Sequence, residues 1–194
     1  MGRRPQPEIR ERLIDACVDH ALEHGLPDRL APFSAATGVS NRMLIYHFGT
    51  RDGLLREVLR RARERQLEAF GALLRVRADE PYPATLRRAW PGMSGPEGQR
   101  YLRIFTPLHE AGGGPLWPGF RRGATTDWLA PLEDGLRTIG RPELATVVLA
   151  VLRGLLMDLD ATGDVERTGR AFEAFVRTIE RDAGTPRPGA AGPS

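Results

Sequence analysis

The sequence predicts an all-α protein with an N-terminal three-helix domain and a second, C-terminal helical domain. Apolar residues recur at intervals of three and four along most of the 194 residues, and no segment alternates apolar and polar residues as a strand would. The hydrophobic content of 41% is sufficient for a buried core. Cys17 is the only cysteine, which excludes an intramolecular disulfide framework and a cysteine-rich zinc module.

The first two helices are predicted from periodicity and from the residues at their ends. Residues 7–24 carry one continuous apolar face and are followed by Gly25, a typical residue after a helix end. A short second helix is expected over residues 30–36. Because Pro32 is tolerated only in the first turn of a helix, this helix cannot begin much earlier.

A glycine-containing turn at residues 37–40 connects the second helix to a third. Gly38 can adopt the left-handed conformation that such a turn needs, and Ser40 can cap the helix predicted over residues 41–48. Two short helices joined by such a turn, inside a three-helix unit, are the parts of a helix-turn-helix. This motif presents its second helix to the major groove of DNA.

The rest of the chain is predicted to be helical with one interrupted region. Thr50 is a candidate N-cap for a long helix over residues 51–76. Residues 81–123 contain 15 Gly or Pro, which predicts broken helical segments. Helical periodicity then returns in three segments, 128–138, 142–160 and 165–181. The Gly- and Pro-rich residues 183–194 are expected to be disordered.

The positive charge of the chain is concentrated near the predicted turn. The net charge is +3, and all 28 basic residues are arginine. Residues 29–66 contain 8 arginines and 3 acidic residues, whereas residues 67–194 contain 16 of each. Arginine presents a planar fork of donors that suits phosphates and guanine edges. The clustering therefore indicates a nucleic-acid partner for the first third of the chain.

The outer face of the predicted helix 41–48 carries side chains suited to base edges. Leu44 and Phe48 lie four residues apart and are expected to face inward. Arginine can pair with guanine, asparagine with adenine, and methionine with a thymine methyl group. The outward residues are Asn41, Arg42, Met43, Tyr46 and His47. Ser40, Thr50 and Arg51 lie at helix starts, where hydroxyl, backbone N–H and guanidinium groups can hold phosphates.

The same segment resembles the recognition-helix region of the TetR (tetracycline repressor) family of bacterial transcriptional regulators. The resemblance spans about residues 9–58 and rests on these residues and their spacing: Gly38-Val39-Ser40, Leu44, Tyr46-His47-Phe48 and Thr50-Arg51-Asp52-Gly53-Leu54-Leu55. It implies base contacts by Asn41, Arg42, Met43 and His47, with Tyr46 nearby, and phosphate contacts by Thr50 and Arg51. It also implies a homodimer whose second domain binds a small effector.

Large apolar residues in the interrupted region are together candidates for an effector pocket, although for any single one of them an ordinary core position is the better expectation. All three tryptophans and four other aromatic residues fall between Tyr82 and Trp128. The predicted pocket residues are Trp90, Met93, Tyr101, Phe105, His109, Trp117, Phe120, Trp128 and Met157. The last two helices have enough apolar surface for a four-helix bundle with a second copy. The predicted interface residues are Val148, Leu152, Leu155, Leu159, Phe172, Phe175 and Ile179.

Two groups of arginines allow more than one interpretation. The arginines of helix 51–76 could form a solvated face with partners such as Glu57 for Arg61, or they could contact DNA. They are Arg56, Arg60, Arg61, Arg63 and Arg65. Arg3 and Arg4 could enter a minor groove or remain disordered. His20 and His24 have the spacing of a metal-binding pair, but no third ligand accompanies them, so no metal is expected.

These observations favour a cytoplasmic, DNA-binding transcriptional regulator that is released from a palindromic operator by a small apolar effector. We expect no membrane segment, no signal peptide and no cofactor, and the chain is predicted not to be an enzyme. The alternatives are a helical-domain enzyme with a vestigial DNA-binding domain and an effector-independent regulator. The predicted division is a helix-turn-helix domain (1–50), a connecting helix (51–76), an effector-binding and dimerisation domain (77–182) and a tail (183–194).

Overall fold

The computed structural model describes residues 7–110, 114 and 116–183, without the side chains of residues 109, 110, 182 and 183. Within these residues the chain forms nine α-helices, one 3-10 turn at Pro142–Leu144 and no strand, which confirms the all-α prediction. The helices are α1 (Pro7–His24), α2 (Ala31–Thr37), α3 (Asn41–Phe48), α4 (Arg51–Leu74), α5 (Tyr82–Ser94), α6 (Pro96–Glu110), α7 (Phe120–Arg137), α8 (Ala145–Thr162) and α9 (Val165–Ala183).

Two helices of the glycine- and proline-rich region continue through an internal proline. Pro91 lies within α5 and Pro107 within α6. The expectation of broken segments is therefore wrong at these two positions. α7 begins eight residues before the predicted 128, and it likewise continues through Pro131. An internal proline removes one backbone hydrogen bond and costs about 3 kcal/mol. The apolar side chains that these helices bury offset that cost.

The chain divides into two compact units. The first consists of residues 1–69 and 97–124, and the second of residues 70–96 and 125–194. These units do not coincide with the functional domains suggested by the sequence, whose boundaries stay a prediction. In the first unit α1 packs against α2, and α2 against α3. Its most buried side chains include Cys17, Val18, Leu44, Leu54, Val58 and Ile104.

The second unit is built around α5, α8 and α9, which pack against one another. Its most buried side chains include Tyr82, Leu86, Leu132, Leu136, Val148, Leu159 and Val176. A Cβ atom on Gly135 would lie 2.0 Å from the Tyr82 ring, so only glycine allows this contact between α5 and α7. On the other side of α5, Arg87 forms ion pairs with Glu173 at 2.9 Å and with Glu180, both of α9.

The side chains predicted for the dimer interface lie mostly inside the second unit. Five of the seven are buried within the chain itself: Val148, Leu152, Leu159, Phe172 and Ile179. Leu155 and Phe175 are half-buried. The predicted interface residues lie on the apolar stripe of each helix, and most of this stripe is buried in the core of the second unit. The residues that stay exposed are on the opposite side of α8, where Val147 is 48% and Met157 54% exposed.

Some sequence predictions fall on residues beyond this description. Arg3, Arg4 and the tail from residue 184 lie outside the described residues, as does the side chain of His109. Among the described helices, none combines the length and the apolar character needed to cross a membrane.

Candidate functional site

The turn between α2 and α3 is held by backbone and side-chain caps, as predicted. Gly38 has a φ of +71°, and its N–H donates to the Ser34 carbonyl over 3.0 Å. The Ser40 hydroxyl oxygen accepts a hydrogen bond from the Met43 N–H at 3.3 Å. Gly49, with a φ of +80°, ends α3 by donating to the Ile45 carbonyl over 2.8 Å. Both ends of α3 are therefore fixed by local sequence.

α3 has one buried and one exposed side. Leu44 is fully buried and Phe48 is 9% exposed, as predicted from their spacing. Phe33 of α2 is 1% exposed, and the Arg10 guanidinium lies over the Phe48 ring at 5.0 Å. These contacts anchor the inner face of α3.

The outer face of α3 presents the side chains that the sequence singled out. Asn41 and Arg42 are exposed, Met43 is 42% exposed and Tyr46 is 49% exposed. His47 is half-buried, with its ring against Tyr46 at 5.2 Å and its Nδ1 atom buried without a hydrogen-bond partner among the described residues. The arrangement thus offers four exposed side chains of different chemistry on two helical turns.

The start of α4 is fixed beside the end of α3. Thr50 caps α4, because its hydroxyl oxygen accepts the Gly53 N–H at 2.9 Å. A Cβ atom on residue 53 would lie 2.5 Å from the Phe48 carbonyl oxygen, so glycine is required there. Arg51 donates to the Pro27 carbonyl at 3.3 Å and pairs with Asp52 at 3.2 Å. Arg51 therefore also ties the loop between α1 and α2 to α4.

Two arginines of α4 form ion pairs with the acidic face of α1. Arg61 pairs with Glu11 and, at 3.1 Å, with Asp15. Arg65 pairs with Asp15 at 2.8 Å and with Asp19 at 2.6 Å. We call this set of five residues the α1–α4 ladder. Because acidic residues of α1 pair with Arg61 and Arg65, the net positive charge of residues 29–66 is larger than the positive charge that is available to a ligand.

The other α4 arginines differ in their surroundings. Glu57 pairs with Arg60 at 2.9 Å and with Arg10 at 3.3 Å, so the predicted pairing of Glu57 with Arg61 is wrong. The hydrogen bond from Arg60 holds the pKa of Glu57 below its usual value. Arg63 is 6% exposed and donates to Gln66, whereas Arg56 is exposed. For Arg60, Arg61 and Arg65 the structure thus agrees with the interpretation as a solvated face whose arginines have acidic partners.

The predicted pocket residues form separate aromatic clusters in the two units. In the first unit the Phe105 and Phe120 rings stack at 5.5 Å, and Trp117 lies 5.2 Å from Phe120. Tyr101 is 3% exposed, and burial is the main cause that raises its pKa. Tyr101 and Phe105 belong to α6, Phe120 is the first residue of α7, and Trp117 lies just before it.

In the second unit Trp90 stacks on Phe172 at 4.5 Å, with an interplanar angle of 10°. Trp128 lies 6.0 Å from the Phe70 ring, and Met93 is 4% exposed. Met157 is 54% exposed, so the expectation that it lines an enclosed cavity is wrong. α8 turns Leu152, Leu156 and Leu159 inward, which places Met157 on the outer side.

Two residues of interest were missed by sequence reasoning. Ser34 of α2 donates a hydrogen bond to the Asn41 Oδ1 atom at the start of α3. The Tyr82 hydroxyl is buried without a hydrogen-bond partner among the described residues. No sequence signal shows the first contact, since it needs the α2–α3 geometry. No sequence signal shows the second either, since burial of the Tyr82 ring depends on its packing against Gly135 of α7.

Several solved structures have a similar fold. A transcriptional regulator from Rhodococcus sp. RHA1 has a TM-score of 0.73 at 22% identity, covering 92% of this chain and 99% of that chain. A TetR transcriptional regulator from Streptomyces coelicolor has a TM-score of 0.58 at 21% identity, covering 88% and 97%. The multidrug binding protein EbrR, complexed with imidazole, has a TM-score of 0.65 at 22% identity, covering 98% and 96%.

The chain therefore has the fold of the TetR-type transcriptional regulators. No family model matches the sequence. No curated protein matches it either.

Proposed function

We propose that the protein is a DNA-binding transcriptional regulator that reads an operator with the exposed face of α3. The observation that carries this proposal is the α2–turn–α3 unit itself. Its second helix is capped at both ends and anchored by Leu44 and Phe48. Asn41, Arg42 and Met43 remain exposed. Such a surface suits the major groove, where each base pair presents a distinct pattern of donors, acceptors and methyl groups.

In this proposal the contacts divide into base-reading and positioning groups. Asn41, Arg42, Met43 and His47 meet base edges, with Tyr46 beside them. Ser40, Thr50 and Arg51 lie at helix starts and meet phosphates. The hydroxyls of Ser40 and Thr50 accept backbone N–H groups in their caps, and each keeps its own hydrogen to donate to a phosphate oxygen.

A homodimer fits this function, because a helix of two turns reads only a few base pairs and two copies double the site. The outer faces of the last two helices support it. The exposed positions of α8 include Val147, Ala150, Gly154 and Met157. Those of α9 include Ala171, Ala174 and Thr178, with Phe175 half-buried, and they are flanked by exposed charged residues such as Arg170 and Arg177. These mostly small or apolar side chains recur at helical spacing, and second copies of α8 and α9 can cover them in a four-helix bundle.

Control by a small effector is the second part of the proposal. A ligand that favours one conformation of the protein would change the spacing of the two α3 helices and release the operator. The fold likeness to EbrR, a multidrug binding protein that holds imidazole in its structure, supports a small-molecule ligand. The regulator would then act as a repressor in the cytoplasm.

A specific observation favours the alternative of a regulator without an effector. The Trp90–Phe172 and Phe105–Phe120 pairs are stacked and buried, as in a filled interior. Thermal unfolding in the presence of small apolar compounds separates the two cases. A compound that raises the melting temperature and lowers operator affinity supports effector control, whereas tight binding with unchanged operator affinity contradicts it.

The proposed DNA contacts are tested by selecting sites from a randomised duplex library with the purified full chain. We expect a palindrome with half-sites about 34 Å apart. Arg42→Ala is expected to cost about 1–3 kcal/mol and to relax preference at one position. Arg51→Ala should weaken binding to all sequences alike and lower the salt slope by about 1.

Arg137 of α7 is a matched control, since its side chain is 59% exposed and, among the described residues, its ion pair is a local one with Asp134. Arg137→Ala should leave affinity and preference unchanged. Because Arg51 also holds the Pro27 loop, the melting temperature of each variant is measured first. Enrichment of no sequence by the wild type would refute the proposed function, and identical profiles for Arg42→Ala and Arg51→Ala would refute the division of roles.

A further inference from the structure

The hydrogen bond between Ser34 and Asn41 crosses the turn from α2 to α3. The Ser34 hydroxyl donates to Asn41 Oδ1. The backbone of Ser34 is already engaged, since its N–H donates to the Leu30 carbonyl at 2.9 Å and its carbonyl accepts the Gly38 N–H at 3.0 Å. Ser34 is half-buried and Asn41 is exposed. A fixed residue of α2 thus holds an exposed side chain of α3.

This contact fixes the orientation of the Asn41 amide. An asparagine amide has an acceptor oxygen with two lone pairs on one branch and a two-donor NH₂ group on the other. The Ser34 hydroxyl occupies one lone pair of Oδ1 and holds this oxygen toward α2, so the opposite branch, the Nδ2 group, is the one turned away from α2. Asn41 is therefore oriented to present its donor group.

We propose that Ser34 sets the base preference of Asn41 by holding its amide as a donor toward a guanine edge. Pairing of asparagine with adenine requires its oxygen to accept from N6 while its nitrogen donates to N7. Guanine presents two acceptors, N7 and O6, in the major groove, which a donor group can meet without its oxygen. Ser34 is a positioning residue that touches no DNA in this scheme. The inference rests on the proposed function, and it replaces the adenine pairing expected from residue type alone.

The fold does not depend on this hydrogen bond. Gly38 and the Ser40 cap fix the turn, and the buried side chains of Phe33 and Leu44 hold α2 and α3 in place. Removal of the Ser34 hydroxyl should therefore leave the protein folded. An effect on base preference can then be separated from an effect on stability.

The test is a site selection from a randomised duplex library with the full chain and four variants. Wild type and Ser34→Thr, which keeps the hydroxyl, should both enrich guanine at one position of each half-site. In Ser34→Ala the preference for guanine over adenine at that position should fall by roughly tenfold. The slope of affinity against salt should not change, because no phosphate contact is lost.

A double-mutant cycle with Asn41→Ala shows whether Ser34 acts through Asn41. If it does, Asn41→Ala and the double variant Ser34→Ala/Asn41→Ala should give the same base profile. A second measurement uses the selected site with 7-deazaguanine at the enriched position, which removes N7. Wild type should lose affinity for this duplex, and Asn41→Ala should not.

The outcomes separate this inference from the proposed function. If the wild type enriches no sequence, both are overturned. If the wild type enriches a palindrome but Ser34→Ala keeps its profile, or the two single effects simply add, only the role of Ser34 is overturned. Enrichment of adenine by the wild type, at the base position that Asn41 contacts, would also overturn only the role of Ser34.

Discussion

At the scale of single residues, Tyr82 combines a favourable and an unfavourable interaction. Its ring is 1% exposed and packs against the glycine at position 135. Its hydroxyl is buried without a hydrogen-bond partner among the described residues, and an unmade hydrogen bond of this kind costs about 1–3 kcal/mol. Burial, with a smaller contribution from Asp134, raises the pKa of Tyr82 above its ordinary value of 10.0.

Tyr82→Phe should therefore stabilise the protein. The ring and its packing are kept while the unpaired hydroxyl is removed, so we expect the free energy of unfolding to rise by about 1 kcal/mol. Urea unfolding at neutral pH measures the change. Tyr46→Phe is the control, because Tyr46 is 49% exposed and its hydroxyl pays no comparable desolvation cost.

The same variant has a distinct pH dependence. Above about pH 10 the unfolded tyrosine loses its proton while the buried one keeps it, so the folded state binds more protons and stability falls as pH rises. Phenylalanine lacks this contribution, so the advantage of Tyr82→Phe should grow above about pH 10. An advantage that is absent at neutral pH, or that shrinks in alkali, would show that the hydroxyl has a partner.

At the scale of elements, the sequence predicts helices well where their ends carry caps. α1 and α3 have the predicted bounds, because Gly25, Ser40 and Gly49 act locally. Pro91 and Pro107 were misleading, since burial of a helix face outweighs the proline penalty and depends on distant segments. The spacing of the residues predicted most of the side chains on the outer face of α3. The hydrogen bond between Ser34 and Asn41 could not be predicted, because it depends on how α2 and α3 pack. Likewise, Arg61 pairs with α1 and not with its neighbour in α4.

The α1–α4 ladder makes a testable electrostatic contribution to the first unit. Asp15 lies at its centre and receives both Arg61 and Arg65. The side chains are partly exposed, so we expect Asp15→Asn to cost only about 1 kcal/mol at low salt. The cost should shrink at about 1 M salt, where the Debye length is about 3 Å.

Urea unfolding at the two salt concentrations measures this effect. Asp28→Asn is a suitable control, because Asp28 is exposed and has no ion pair with the described part of the chain. A loss of stability that is equal for both variants, or independent of salt, would contradict an electrostatic role for the ladder.

At the scale of the whole molecule, burial separates the chain's own core from the surface that a second copy could cover. The buried stripe of α8 and α9 serves the second unit, and the opposite faces remain open. The sequence shows two amphipathic helices but not which apolar positions face inward. That assignment depends on α5, which packs against both helices.

Val147→Glu should convert a dimer into a monomer, because a buried unpaired carboxylate at the interface is costly. Sedimentation should then give a mass near 21.4 kDa, in contrast to about twice this mass for the wild type. Val76→Glu is the matched control, since Val76 is 41% exposed and lies outside α8 and α9. A wild-type mass of one chain, or equal masses for wild type and Val147→Glu, would contradict the proposed interface.

The single thiol of the chain also provides a natural reporter. Cys17 has no exposed surface, and burial raises its pKa to about 12, so a thiol reagent can modify it only after α1 separates from its neighbours. The labelling rate of the unmodified protein therefore follows the opening of the first unit. Duplex DNA that binds this unit in its native form would slow the labelling, so binding can be followed by mass spectrometry without an introduced probe.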